Sequence, residues 1–410
     1  MRVLMLSQFI APVTGGQERM VEMLASGLAR NGHDVVVATA ATADPSPPAH
    51  RDDIRVRYVR STLQRATPLY QDTARRHLAP APDPELTLGL RRLLAAERPD
   101  VVHAHDWMVH SLLPLWRRCP PVCMTLHDYG LTCTNKRMMH LGVRCSGPSL
   151  GKCIACASEY YGPLRGAPMA VALRGLRPSV LRLVDRFLPV SRAVSVAQHL
   201  PEMGACYDVV PNFVSGEQLV SRAESTEPPP GLPAGEFVMF AGDATNDKGI
   251  DVLRAAATIG RGRYPIVVVG RTIDELAGPL PPNVHILGPQ AHDLVLAAWR
   301  RAALAVVPSR WNEPFGLVAL EAMALGKAVV ASDVGGLPDI VVHERTGLLV
   351  PPGDAGALAS AIDRLMGDRE LRERYGRAGA ARVMLHFDEQ VALDRHQQIY
   401  EEMVVRATSA

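Results

Sequence analysis

Short apolar runs alternate along the chain with longer stretches whose apolar positions recur every three to four residues. Residues 3–6, 35–38, 54–59 and 101–103 read as strands, and 20–29 and 86–96 as helices with one apolar face. In the third strand, Ile54, Val56 and Tyr58 alternate with Arg55 and Arg57, which predicts one solvated face. Strands interleaved with helices predict a parallel sheet with crossover connections. The rhythm then restarts: residues 237–240, 265–269, 284–287, 304–307, 328–331 and 348–350 are strand-like, with helical segments between most of them. Proline clusters at 45–48 and 80–84 read as exposed loops.

A composition break at 215–235, containing Pro228, Pro229 and Pro230, separates the halves. The expected architecture is therefore α/β: a Rossmann-like domain over 1–209, a second over 210–388, and a helical segment over 389–410 that packs back on the first domain. Tandem domains of this kind take a ligand in the cleft between the carboxyl ends of their strands.

Composition narrows the field. The chain has 410 residues, which at roughly 150 per domain gives two or three domains. The formal net charge is only +2, which removes the basic footprint of a nucleic-acid binder. Aromatics are 5%, against a lectin-type stacking module. The short apolar stretch after Arg2 reads as a buried first strand and not as a signal peptide, which predicts a cytoplasmic protein. Only Lys136, Lys152, Lys248 and Lys327 among the 44 basic residues are lysines. A lysine here is thus a departure from habit.

The most informative segment runs from Pro308 to Lys327. A strand ends at Val307, a loop follows to Pro314, and a helix begins near Phe315 and Gly316 and stops at Gly326. Glu313 then lies in the loop and Glu321 in the second helical turn. The amides of Phe315, Gly316 and Leu317 open the helix and suit a phosphate or sugar hydroxyls. A carboxylate can accept two hydrogen bonds from a vicinal diol, as in dinucleotide sites.

Glu313 and Glu321, with seven residues between them and Pro-Phe-Gly after the first, resemble the E-x7-E signature of the retaining GT-B glycosyltransferases of family 4. The resemblance continues through residues 326–339 and 346–354, Val210-Pro-Asn-Phe-Val, Lys248-Gly249, Gly15-Gly16-Gln-Glu18 and Asn31-Gly-His-Asp-Val. It covers nearly the whole chain.

The resemblance implies a sugar transfer from a nucleotide-diphosphate sugar, UDP or GDP before others, to a sugar, lipid or small-molecule acceptor. It implies that Glu321 holds the ribose and that Glu313 contacts the donor sugar, with the amides of Phe315, Gly316 and Leu317 nearby. It gives Lys248 the diphosphate, and His127 a place beside the donor sugar and leaving phosphate. Gly15 and Gly16 would bring the first loop close to the phosphates. The chain departs from the family pattern at Asp243, where an arginine usually follows the glycine. Arg271 is the residue that could supply the missing charge. No catalytic divalent metal is expected, since the D-x-D of metal-dependent transferases is absent, as are a P-loop and a G-x-G-x-x-G. A GT-B-like sugar-nucleotide epimerase and a non-catalytic sugar-nucleotide binder are the alternatives.

Cys133, Cys145, Cys153 and Cys156 fall within an insert at about 129–160, after the His127 strand. Four thiolates suit tetrahedral zinc, and a structural zinc site is expected. An iron–sulfur cluster or two disulfides use the same residues. Cys119, Cys123 and Cys206 read as packing residues. Arg165, Arg174, Arg177, Arg182 and Arg186 form a basic stretch that reads as a solvated face before a peripheral membrane contact.

Overall fold

The computed structural model describes residues 1–10, 15–40, 54–65, 76–272 and 280–409. The chain divides into two compact units, one of residues 1–211 with 392 onward, the other of Asn212–Val391.

In the first unit six parallel strands form a sheet: β1 (Arg2–Leu6), β2 (Asp34–Ala40), β3 (Arg55–Val59), β4 (Val101–Ala104), β5 (Val122–Leu126) and, beyond a two-stranded antiparallel hairpin of β6 (Met139–His140) and β7 (Val143–Arg144), β8 (Arg186–Pro189). Their order is β3-β2-β1-β4-β5-β8. The order reverses between β1 and β4, where an open α/β sheet leaves a crevice at its strand carboxyl ends. The register sets Leu4 beside Val36 and Val102, with all three essentially inaccessible. Strands covered on both faces read as unbroken apolar runs. The edge strand β3 is the exception, with Arg55, Arg57 and Tyr58 exposed and Val59 buried.

The helices of this unit are α1 (Gly16–Arg30), α2 (Pro84–Glu97), α3 (Leu150–Tyr161), α4 (Pro163–Leu183) and α5 (Arg192–Ala197). A 3-10 segment over Trp107–Arg118 follows β4. The expectation that residues 80–84 are all loop fails at its end. Pro84 opens α2, where a missing amide costs nothing, and Asp83 caps the helix by accepting from Leu86 N at 3.0 Å. The 45–48 cluster lies outside the described residues.

In the second unit the helices are α6 (Gly216–Ser225), α7 (Ile250–Ile259), α8 (His292–Arg301), α9 (Leu317–Ala324), α10 (Leu337–Ile340), α11 (Ala355–Gly367) and α12 (Arg369–His386). The strands are β9 (Val238–Ala241), β10 (Ile266–Val269), β11 (Val284–Gly288), β12 (Leu304–Val307), β13 (Ala328–Ser332) and β14 (Gly347–Val350). All are parallel, in the order β11-β10-β9-β12-β13-β14. The reversal here falls between β9 and β12. One face of the sheet is packed by α7 and α11 through Leu253, Ala256, Leu358, Ile362 and Leu365.

The last helix, α13 (Glu389–Ser409), joins the first unit from Ala392 on. Leu393, His396, Ile399, Tyr400 and Met403 are its buried face. Tyr400 Oη and His103 Nδ1 are 2.7 Å apart, and His103 Nε2 lies 2.7 Å from Thr125 Oγ1, so the helix is tied through β4 to β5. Arg186 is buried and pairs with Asp208 and Glu402, while Arg395 reaches Asp208 at 2.6 Å. Arg186 thus does not belong to a solvated basic face. Its strand lies at the end of the sheet but is buried, and its charge is matched by partners from α13 and the segment after α5.

Burial pushes the imidazoles of His110 and His396 down to about 4. Unfolded, they titrate near 6.5, so between pH 6.5 and 4 the unfolded chain binds protons that the folded chain refuses. Their contribution is present above pH 6.5 and lost as pH falls toward 4, roughly 3 kcal/mol for each group. The urea midpoint is expected to drop steeply over that window, and less steeply in His396→Gln. A midpoint indifferent to pH there would contradict the assignment.

Candidate functional site

In the second unit the two strands that flank the order reversal deliver the two loops singled out in the sequence. The loop after β9 carries Lys248, and the loop after β12 carries Glu313. They are joined backbone to backbone. The amides of Arg310 and Trp311 both donate to the Asp247 carbonyl, at 2.8 and 3.2 Å. Gly249 caps α7 with φ +79°, and a Cβ there would lie 1.9 Å from the Pro308 carbonyl oxygen. Only glycine allows both the dihedral and the approach.

This juncture brings the Lys248 ammonium to 2.6 Å from Glu313 Oε2. Trp311 Nε1 donates to the same oxygen at 3.0 Å and Ser309 Oγ at 3.2 Å. The ammonium also sits 5.0 Å from the centre of the Trp311 ring, within cation–π range. Three donors on one oxygen fix the carboxylate of Glu313, which is 8% exposed. From its other side, Gly335 at φ +59° brings α10's approach against the loop, and a Cβ there would stand 2.1 Å from the Glu313 carbonyl oxygen. Gly336 N donates to that carbonyl at 2.8 Å.

Helix α9 begins at Leu317, one or two residues later than its sequence signal. Gly316 is its N-cap, at φ +118°, where a side chain would collide with Leu337. Ala319 and Leu320 donate to the Gly316 carbonyl, which leaves Leu317 in the open first turn. Phe315 is buried, its ring 6.0 Å from that of Phe387. Glu321 lies one turn further on, 5% exposed, with His292 Nε2 at 2.9 Å from Oε1.

Asp243 and Arg271 meet. The loops after β9 and β10 are in contact because Gly270, at φ +150°, would place a Cβ 1.9 Å from the Gly242 carbonyl oxygen. The Arg271 guanidinium grips Asp243 with both arms, Nε to Oδ1 at 3.0 Å and the second nitrogen to Oδ2 at 2.8 Å. The anion is therefore locally neutralised at an exposed pair, and Arg271 does not stand there as a bare charge.

In the first unit the strand ends carry histidines. His105, after β4, places Nδ1 3.0 Å from Nε2 of His127, after β5. Burial, followed by the neighbouring His103 and His127, holds His105 well below the usual imidazole range, so it is neutral at neutral pH. Asp106 caps the 3-10 segment and accepts from Gln8 N and, at 2.8 Å, from Met108 N. Burial pushes its carboxyl up to about 6. Gly15 is the N-cap of α1 in extended geometry (φ −148°) and Gly16 its first residue, so neither needs glycine for its dihedrals.

The cysteines depart from expectation. All seven are free thiols, which removes the disulfides. Among the described residues no group of three or more His, Cys, Asp or Glu side chains is placed to hold a metal ion, so the structural zinc expected at Cys133, Cys145, Cys153 and Cys156 is not supported. The side chain of Asn135 stands between two of the sulfurs instead. Cys133 Sγ donates to Asn135 Oδ1 at 2.9 Å, and Asn135 Nδ2 donates to Cys156 Sγ at 3.1 Å. Cys145 Sγ turns to the Gly147 carbonyl at 3.5 Å. Burial pushes the Cys133 thiol up to about 11. Cys123 packs inside β5, whereas Cys206 is exposed and is not a packing residue.

Sequence reasoning missed Ser309, Trp311 and His292. Trp311 carried a signal, being one of four tryptophans and two residues before Glu313. His292 carried none, because its partner lies 29 residues away on another helix. Gly335→Ala is expected to displace the Glu313 loop by steric conflict while the sheet stays intact. The variant should keep its far-ultraviolet circular dichroism and lose at least tenfold in activity.

The family description "Glycosyl transferases group 1" matches residues 226–382, and "Glycosyltransferase Family 4" matches residues 14–218. The D-inositol 3-phosphate glycosyltransferase of Pseudarthrobacter chlorophenolicus is 31% identical over 93% of this chain and 91% of its own. The glycogen synthase of Mycobacterium tuberculosis is 27% identical over 98% and 94%. Among solved structures, sucrose-phosphate synthase from Thermosynechococcus elongatus superposes with a TM-score of 0.74 at 23% identity, covering 99% of each chain. Anabaena HepE in complex with UDP and glucose superposes with a TM-score of 0.66 at 18% identity, covering 98% of each. With two parallel-sheet units of the GT-B type, and with these matches along nearly its full length, the chain belongs to glycosyltransferase family 4.

Proposed function

We propose that this glycosyltransferase takes a nucleotide-diphosphate sugar, with UDP or GDP as the leaving nucleotide, and transfers the sugar with retention to a sugar, lipid or small-molecule acceptor. The observation that carries the reading is the convergence of Lys248 and Glu313, with Glu321 one helix turn beyond, at the carboxyl ends of the strands flanking the order reversal. That is where an open α/β sheet binds nucleotides. The second unit is the donor domain on this reading, and the first the acceptor domain.

Each residue has a physical task. Glu321 accepts hydrogen bonds from the ribose hydroxyls. Lys248 stabilises the charge that develops on the departing diphosphate, the kind of preorganised contact that lowers a barrier most. Glu313, held by Lys248, Trp311 and Ser309, accepts from hydroxyls of the donor sugar. The amides at Phe315, Gly316 and Leu317 supply donors at the helix entrance. His127, paired with neutral His105, donates to the sugar or the leaving phosphate. Gly15 and Gly16 bring the start of α1 toward the phosphates. Arg271 contributes positive charge only in part, because Asp243 shares it.

In a retaining transfer the bond between the anomeric carbon and the phosphate oxygen breaks and the acceptor oxygen bonds on the same face. The acceptor proton passes to the departing phosphate. UDP-bound HepE among the structural neighbours is consistent with such a donor.

Thermal shift against a panel of UDP- and GDP-sugars identifies the donor. Free nucleoside diphosphate should then appear only when an acceptor is supplied, and proton NMR should show the anomeric configuration kept. Lys248→Ala and Glu313→Gln are each expected to lower kcat by at least a hundredfold in folded protein. Conversion of the donor without acceptor would make the protein an epimerase, and binding without turnover a non-catalytic binder.

A further inference from the structure

Three helices of the second unit meet at His292. It is the first residue of α8, and its Nε2 lies 2.9 Å from Oε1 of Glu321 on α9. Its Nδ1 faces the guanidinium of Arg222 on α6, 3.2 Å away. Arg222 is itself held by Asp293, its Nε donating to Oδ1 at 2.6 Å.

The chemistry of these partners fixes the proton. A guanidinium has donors only, so the Nδ1 that faces Arg222 accepts and carries no hydrogen. The ring proton therefore sits on Nε2 and is donated to Glu321. The ring is thereby gripped from both ends, with Nε2 toward Glu321 and Nδ1 toward Arg222. The Glu321 side chain is 7% exposed and that of His292 28%, so the contact is largely shielded from water. An oriented carboxylate reaches a diol with less rotamer freedom left to lose on binding.

We propose that His292 is the positioning residue of the Glu321 carboxylate, aligning it for the ribose hydroxyls of the donor nucleotide, with Arg222 selecting the tautomer that does so. This rests on the assignment of Glu321 to the ribose. It goes beyond that assignment by making donor affinity depend on a residue that acts through Glu321.

The test measures calorimetric binding of whichever of UDP, GDP and ADP the wild-type protein binds most tightly, and of the 2′,3′-dideoxy form of that nucleotide. His292→Phe is expected to weaken the ribonucleotide about tenfold, in line with loss of other groups that orient a binding side chain, and to leave the dideoxy form within about twofold. His292→Gln, whose amide can still donate to Glu321, should restore most of the loss. In turnover, the donor KM should rise in the phenylalanine variant with kcat little changed. A general packing defect would weaken both nucleotides alike, and that result, or no loss at all, would overturn the proposal. Glu321→Gln separates the two readings. Ribonucleotide binding unaffected by it removes the ribose assignment and this proposal with it. Binding weakened by it but not by His292→Phe removes this proposal alone.

Discussion

The contact on which the second unit's candidate site is built is a single carboxylate oxygen. Oε2 of Glu313 receives an ammonium, an indole and a hydroxyl, and these donors come from both loops at the order reversal of the sheet. An ion pair so placed is worth little as glue, because desolvating both charges offsets most of their attraction. Its value lies in geometry. The carboxylate and the ammonium each hold the other where a polar ligand with an anionic part would find both.

The first unit is organised around a different constraint, the burial of imidazoles. His105 and His396 each lie within ring-contact distance of His103, and His103 links β5 to the C-terminal helix through Thr125 and Tyr400. Burial penalises their charged forms, so neutral rings can pack as aromatic residues do. Neutral His105 in turn fixes the hydrogen-bonding partner of His127. A network that closes only when α13 is in place makes that helix an integral part of the unit.

The sheets were largely legible in the sequence, because strands buried on both faces are nearly continuous apolar runs. Residues 304–307 needed no correction, and most other strands moved by one or two residues at their ends. One strand of the first sheet left a weaker mark: in β8, Arg186 and Pro189 interrupt the run, and Arg186 is tolerated only because Asp208 and Glu402 lie across from it. Lys248, Glu313 and Glu321 stood out by motif and by the rarity of lysine. What could not be read was every relation set by tertiary packing. His292 meets Glu321 across helices, and Asp243 meets Arg271 because Gly270 lets two loops touch. The cysteine spacing suited a tetrahedral metal, yet spacing says nothing of the asparagine amide that separates two of the sulfurs.

The glycines at 249 and 335 have a further meaning. Through them the loop after β9, the loop after β12 and the approach to α10 touch as bare backbone, with no side chain between to absorb a change in length. Such contacts have no slack. The three segments can be exchanged with those of a relative only together, as one inherited block. Swapping any one alone would bring a foreign curvature against a surface that cannot yield. The segments that frame Lys248 and Glu313 must therefore change in concert or not at all.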